Sequence, residues 1–190
     1  MIRTFAADVR AKAEWIYEST GWQAVVKALL TDGTPAMFWY RAMQSSRRWK
    51  LAPLEMICNK ILSWFCGCII GRGAEFGPRF VLIHSNGVVV NGGVVAGSDV
   101  KIEHQVTIGA ERRAFPTLGS RIFIGAGAKI VGAVSVGDDV TIGANAVVVK
   151  DVPSDCTAVG VPARCIPRNP VLQSEEAPSV ALALAKMNRK

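Results

Sequence analysis

The chain has 190 residues, half of them apolar, with a formal net charge of +7. That is enough for one domain with a sizeable core and an appendage. The basic residues are spread along the chain and no nucleic-acid-binding motif accompanies them, so nucleic acid is set aside as a partner, and a polyanionic small molecule is an equally good reason for them.

The N-terminus, M-I-R-T-F-A-A-D-V-R, is too charged for a signal peptide. Residues 1–69 read as a helical region. Phe5 to Glu18 contains neither Pro nor Gly, and Gly21 interrupts it. Trp22 to Leu30 reads as a second short helix, followed by the turn T-D-G-T. Thr34 followed by Pro35 reads as a helix start, with a capping hydroxyl and then proline at the first helical position. That helix should reach Arg47 or Arg48. Pro53 opens another, expected to reach about Cys68.

The stretch from Leu51 to Ile70 is mostly apolar, but Glu55 and Lys60 lie inside it and Pro53 and Gly67 interrupt it. A spanning helix needs about 20 mostly apolar residues with few or no charges, so a bilayer span is rejected. Burial against a neighbouring element or another subunit is the main reading. Peripheral contact with the inner face of a membrane is the alternative.

Residues 70–167 carry a six-residue repeat. Ile124, Ile130, Val136, Ile142 and Val148 fall on one frame, and Ala128, Val134, Val140 and Ala146 fall four places later in each block. The frame extends upstream through Ile102, Val106 and Ile108, while Leu82, Val88, Val94, Val100 and Val106 hold a six-residue column in the less regular first part. Such a period suits short flat strands separated by corners, about 18 residues to a coil. Stacked coils bury the repeated aliphatic column. The expected fold is therefore mainly β, a parallel β-helix with an N-terminal α-helical region. Between Ile108 and Leu118, the segment G-A-E-R-R-A-F-P-T is a loop thrown out of the stack, where specificity tends to sit. Pro153 and Pro162 end the regular pairing. Residues 168–190 read as a flexible tail with a weak helix near Val180 to Met187.

The five cysteines are an odd number, and Cys66 and Cys68 lack zinc-type spacing. With no His/Cys cluster to complete them, no metal is expected. The thiols read as reduced, in a cytoplasmic protein.

The chain has two histidines, His84 and His104, both in the repeat region. A neutral imidazole is the side chain best placed to take a proton near pH 7. With an 18-residue coil, His104 lies one coil above His84 and two residues along, about 8 Å away. The strict frame places His84 in the inward aliphatic column, unless S-N-G bulges the coil and turns it outward. No Ser-His-Asp order, P-loop or dinucleotide fingerprint is present. Direct attack by a substrate hydroxyl, with histidine as base, is the simplest remaining chemistry.

The segments I-G-A-G-A-K-I-V-G-A, V-G-D-D-V-T-I-G-A-N-A-V-V and A-V-G-V-P-A-R resemble the hexapeptide-repeat acetyltransferases. F-V-L-I-H-S-N-G-V-V-V-N with V-K-I-E-H-Q-V-T-I-G is similar to serine acetyltransferases and to their relatives that O-acetylate bacterial polysaccharides. The resemblance implies a left-handed β-helix, a homotrimer with sites between subunits, and acetyl-CoA as donor. It makes His84 the catalytic base, with His104 matching a second histidine of the polysaccharide branch. It places Gly109, Ala126 and Ala144 along the pantetheine groove, and Lys150 and Arg164 near the CoA phosphates.

Two departures from serine acetyltransferases stand out. Ile69 and Ile83 occupy the positions of two aspartates, which leaves Glu75 or Glu103 to orient His84. The loop reads Ala114-Phe115-Pro116 in place of Arg-His-Pro. A carboxylate anchor is then missing unless Arg112 or Arg113 substitutes, and Phe115 offers a face for a sugar ring. The sequence reading therefore favours a sugar hydroxyl in polysaccharide biosynthesis (capsule, exopolysaccharide or O-antigen). Serine O-acetylation and a non-catalytic assembly subunit are the alternatives.

Overall fold

The computed structural model describes residues 1–168. The helix expected near Val180 to Met187 lies outside the described residues. Four helices come first: α1 (Ile2–Tyr17), α2 (Trp22–Leu29), α3 (Thr34–Arg48) and α4 (Ala52–Phe65). Two details differ from expectation. Thr34 does not cap α3: its hydroxyl donates to the carbonyl of Ala28 at 2.7 Å, and Gly33 in the left-handed region is the N-cap. The last helix stops at Phe65 rather than Cys68, because Gly67 turns the chain at φ 63°.

The repeats build a three-sided stack. Sheet A holds β1 (Ile69–Ile70), β4 (Val89–Val90), β7 (Thr107–Gly109), β10 (Lys129–Val131) and β13 (Val147–Val148). Sheet B holds β2 (Glu75–Phe76), β5 (Val95–Ala96), β8 (Thr117–Leu118) and β11 (Ser135–Val136). Sheet C holds β3 (Val81–Leu82), β6 (Val100–Ile102), β9 (Ile122–Ile124), β12 (Thr141–Ile142), β14 (Cys156–Val159) and β15 (Arg164–Pro167). All pairings are parallel except β14 with β15. This is the expected parallel β-helix.

Register explains both the regular and the irregular parts. In the upper coils Ile124 pairs with Ile142 and Ile130 with Val148, the 18-residue step of three hexapeptides. Ile102 pairs with Ile124, a 22-residue step that absorbs the four residues inserted within the 110–116 loop. In the lowest coil Ile70 pairs with Val90 and Leu82 with Ile102, a 20-residue step. The corner after β3 therefore holds two residues more than the corner after β6. Leu82 consequently stacks under Ile102, and not under Val100 as a strict six-residue frame has it.

Ile102, Ile108, Ile124, Ile130, Val136, Ile142 and Val148 are all buried, as are Ala128, Val134, Val140 and Ala146. Each valine or isoleucine so buried contributes roughly 1.5–3 kcal/mol. The open lower end of the prism is closed by α3. Tyr40 packs edge-on against Phe76 and Phe80, with its hydroxyl accepting from the Phe76 amide at 3.0 Å and donating to the Ala74 carbonyl at 3.1 Å. Helix α1 is tied to the same end through charge. Arg41 forms a two-pronged pair with Asp8 at 2.6 and 3.0 Å and also donates to the carbonyls of Phe76 and Gly77. No described helix is long and apolar enough to cross a membrane.

Candidate active site

The two extra residues after β3 decide where His84 points. The corner bulges, and the imidazole leaves the inward column with its side chain 52% exposed. His104, one coil above, is also exposed, and the two rings meet edge to face with centroids 6.0 Å apart. The 8 Å expected from an 18-residue coil is thus corrected: this coil has 20 residues, and the histidines stand closer.

Backbone hydrogen bonds continue the corner upward. Gly127 donates to the His104 carbonyl at 2.9 Å and Asn145 to the Ala126 carbonyl at 2.8 Å. Ala126 and Ala144 thus lie in one column above His104. Their small side chains leave the backbone edge accessible. The other residues singled out in the sequence lie elsewhere in the chain. Gly109 ends β7, at the opposite end of the sheet A strands, where the loop departs. Lys150 follows β13 on that same side, and Arg164 begins β15. Glu111 and Ala114 bond each other's backbone at 3.0 and 3.1 Å, presenting Arg112 and Arg113 to solvent at the loop tip. Phe115 folds back on Gly93, where a Cβ would come within 2.4 Å of its ring. Within one chain, then, Arg112, Arg113 and Phe115 do not join the histidines.

A residue that sequence reasoning passed over does join them. A cleft of about 670 Å³ runs between the histidine corner and the helices. His84, Ser85, Asn86, His104 and Gln105 form one wall. The opposite wall is the α2–α3 turn, Leu30 to Gly33, with Phe65 and Cys66 at the end of α4. Asp32 reaches across so that its Oδ2 stands 3.5 Å from His84 Nδ1, ion-pair range rather than a hydrogen bond. Glu103 approaches His104 Nδ1, also at 3.5 Å, and Glu75 lies in a different cleft beside Arg47 and Arg72. Neither Glu103 nor Glu75 faces His84, so both expectations are corrected. The T-D-G-T turn was a signal only for a chain reversal, since its approach to the bulge depends on tertiary packing.

Below the turn lies Lys12, fully buried, its ammonium donating to the Asp32 carbonyl oxygen. Burial pushes its pKa down from 10.5 to about 8, against the pull of Asp32. The unfolded chain then binds more protons than the folded one between those values, so stability rises with pH through that window. The gain is on the order of 3 kcal/mol. Lys12→Met is expected to flatten this rise when urea unfolding is followed from pH 8 to pH 10; an unchanged slope would place the charge elsewhere.

A family model described as bacterial transferase hexapeptide (six repeats) matches residues 115–150. A serine acetyltransferase of Helicobacter pylori is 38% identical over 145 residues, covering 74% of this chain and 85% of the relative. The chain belongs to the serine acetyltransferase family. Among solved structures, the Neisseria gonorrhoeae serine acetyltransferase superposes with a TM-score of 0.81 at 28% identity, covering 92% of this chain and 71% of that one. A serine acetyltransferase in complex with CoA gives a TM-score of 0.79 at 32% identity, covering 87% of this chain and 69% of that one.

Membership makes the protein an acyltransferase, and it corrects the expected acceptor. The sugar reading rested on the missing Arg-His-Pro of the loop. The relatives matched over most of both chains are serine acetyltransferases, so the loop difference is a variation within that family. Phe115 lies against Gly93, away from the histidine cleft, so within one chain its ring does not face the candidate site.

Proposed function

We propose that the protein transfers the acetyl group of acetyl-CoA to the hydroxyl of serine. The observation that carries the reading is the outward imidazole of His84 facing a cleft, at the position to which the sequence resemblance assigns the catalytic base. His84 takes the proton of the serine hydroxyl as the oxygen attacks the thioester carbonyl. The tetrahedral intermediate collapses, the C–S bond breaks, and the imidazolium returns its proton to the departing CoA sulfur. Ala126 and Ala144 offer backbone along the same corner for the pantetheine arm, with Gly109 contributing from the other side. Lys150 and Arg164 supply cations for the CoA phosphates.

An amino-acid carboxylate needs a cation, ideally an arginine. The His84 cleft is lined by Asp32 but by no Arg or Lys. Arg112 and Arg113 stand on the loop at another corner, so a second copy must bring them to the site. This supports a homotrimer with active sites between subunits. Ile69 and Val89 on sheet A are 54% and 38% exposed beside the open side of α4, which carries Leu54, Ile57 and Trp64. A neighbouring copy covers that apolar surface in this reading, and the enzyme works in the cytoplasm.

Serine is expected to be turned over at an ordinary kcat/KM, roughly 10⁴ M⁻¹s⁻¹ or more. Replacing Arg112 and Arg113 together by alanine should raise KM for serine at least tenfold. At serine well below the raised KM, mixing that impaired double variant with the His84→Ala protein, after dissociation and reassembly, should give more activity than either alone, from sites that take one intact half from each copy. Serine turnover at background would sink the acceptor; no recovery on mixing would sink the shared site.

A further inference from the structure

We infer that Asp32 is the carboxylate that orients His84, and that Lys12 is the buried post that holds Asp32 in place. The inference rests on the proposed reaction, with His84 as its base.

The β-helix itself supplies no partner for this histidine. Ile69 and Ile83 stand at the two positions where the resemblance calls for aspartates, and the nearer glutamate, Glu103, faces His104. Among the described residues, the carboxylate in ion-pair reach of His84 is that of Asp32, delivered from the helical region across the cleft. A carboxylate facing Nδ1 favours, through its charge, the tautomer with the proton on that nitrogen, leaves Nε2 free to take the substrate proton, and stabilises the imidazolium that forms.

The turn bearing Asp32 is fastened on every side while its carboxylate stays exposed. The hydroxyls of Thr31 and Thr34 both donate to the Ala28 carbonyl at 2.7 Å. Gly33 sits at φ 76°, and a Cβ there would be 2.3 Å from the Leu82 carbonyl oxygen, so the turn lies directly against β3, two residues before His84. Lys12 fixes the Asp32 carbonyl from beneath. A fixed backbone under a free carboxylate is the arrangement that positions a partner without a reorganisation cost at each turnover.

Lys12 makes little sense as a stabiliser. Burying an ammonium costs several kcal/mol unless it is well paired. Its hydrogen-bond partner here is a single carbonyl. A methionine of similar length would fill the space without that cost, so the charge is retained for the placement of Asp32.

Steady-state kinetics and the His84 tautomer test both halves. Asp32→Ala and Asp32→Asn should lower kcat roughly 10- to 100-fold, with KM for serine within about twofold. That is below the roughly 10⁴-fold loss for a buried triad carboxylate, because solvent screens this pair. Lys12→Met should lower kcat several-fold while the thermal midpoint holds or rises. Imidazole ¹⁵N spectra of the resting enzyme should show His84 protonated at Nδ1 in the wild type and shifted towards Nε2 in Asp32→Ala. A rise in KM alone would make Asp32 a holder of the substrate ammonium and overturn the inference. Lys12→Met losing midpoint and activity together would make that lysine merely structural. The tautomer is read without substrate. A chain that ignores serine yet shows the shift refutes the acceptor and keeps the pair, whereas serine turnover with an unshifted tautomer does the reverse.

Discussion

His84→Ala is expected to lower kcat by roughly 10²–10⁴-fold while CoA binding survives. The proton of an alkyl hydroxyl must leave as the oxygen attacks, and at neutral pH water is a poor acceptor for it. Of the two imidazoles in the cleft, His84 occupies the bulge that turns it out of the core, and it has a carboxylate behind its Nδ1. The groups assigned to CoA lie on other coils: Ala126 and Ala144 above His104, and Lys150 and Arg164 beyond β13. Calorimetric titration with CoA should therefore give a Kd close to that of the wild type. Thiol release from acetyl-CoA in the presence of serine reads the chemical loss. Turnover within tenfold of wild type would remove His84 as the base. His104→Ala should cost less, because its Nδ1 faces Glu103 and its ring flanks the reacting atoms from one coil above.

Much of the scaffold was legible because a β-helix repeats one local pattern. Ile124 to Val148 recur every six residues because each covers its neighbour in the next coil, and the pairings follow that frame. The pattern fails where two residues are inserted, and that is where His84 sits: the frame put it inward, whereas the bulge puts it outward. Periodicity reports where side chains repeat, so an irregular corner can only be registered against its neighbours in three dimensions. Asp32 was illegible for a related reason. Its turn has no chemistry of its own and acquires one only by packing across from a corner 52 residues further on. The charged residues of α1 gave no sign of where they point. The sequence marks Phe5 to Glu18 only as a helix mixing apolar and charged residues, yet Asp8 and Lys12 within it are both fully buried, with partners 33 and 20 residues away. Gly109 and Lys150 were chosen by resemblance, and Arg112 and Arg113 as loop cations near the missing anchor; a single chain leaves all four at a corner remote from the histidines. The role proposed for them rests on a second copy, which no reading of one chain supplies.

Asp8→Ala is expected to destabilise the fold by about 3–5 kcal/mol. Asp8 is fully buried and the Arg41 side chain is 3% exposed. Deleting the carboxylate leaves a guanidinium out of water with no counter-charge, and it strips the Phe80 amide of its acceptor at 3.0 Å. Burial already pushes the Asp8 carboxyl up, while Arg41 pulls it back down; the pair is held by its two-pronged geometry rather than by cheap solvation. Replacing both residues by apolar ones should not restore stability fully, because Arg41 also serves the carbonyls of Phe76 and Gly77 at the base of the prism. Arg121 and Asp139 offer the control. Their contact is as short, 2.6 Å, but the side chains are 52% and 34% exposed. Water and salt replace what is lost there, so Asp139→Ala should leave stability within the scatter of ordinary surface changes. Urea unfolding of the three proteins at neutral pH makes the comparison. A small loss for Asp8→Ala, no greater than that for Asp139→Ala, would mean that α1 is not riveted to the β-helix through this pair. The same helix carries Lys12 one turn further on, so loosening α1 should also release the Asp32 turn, and Asp8→Ala should lose serine turnover at temperatures where its β-helix is still folded.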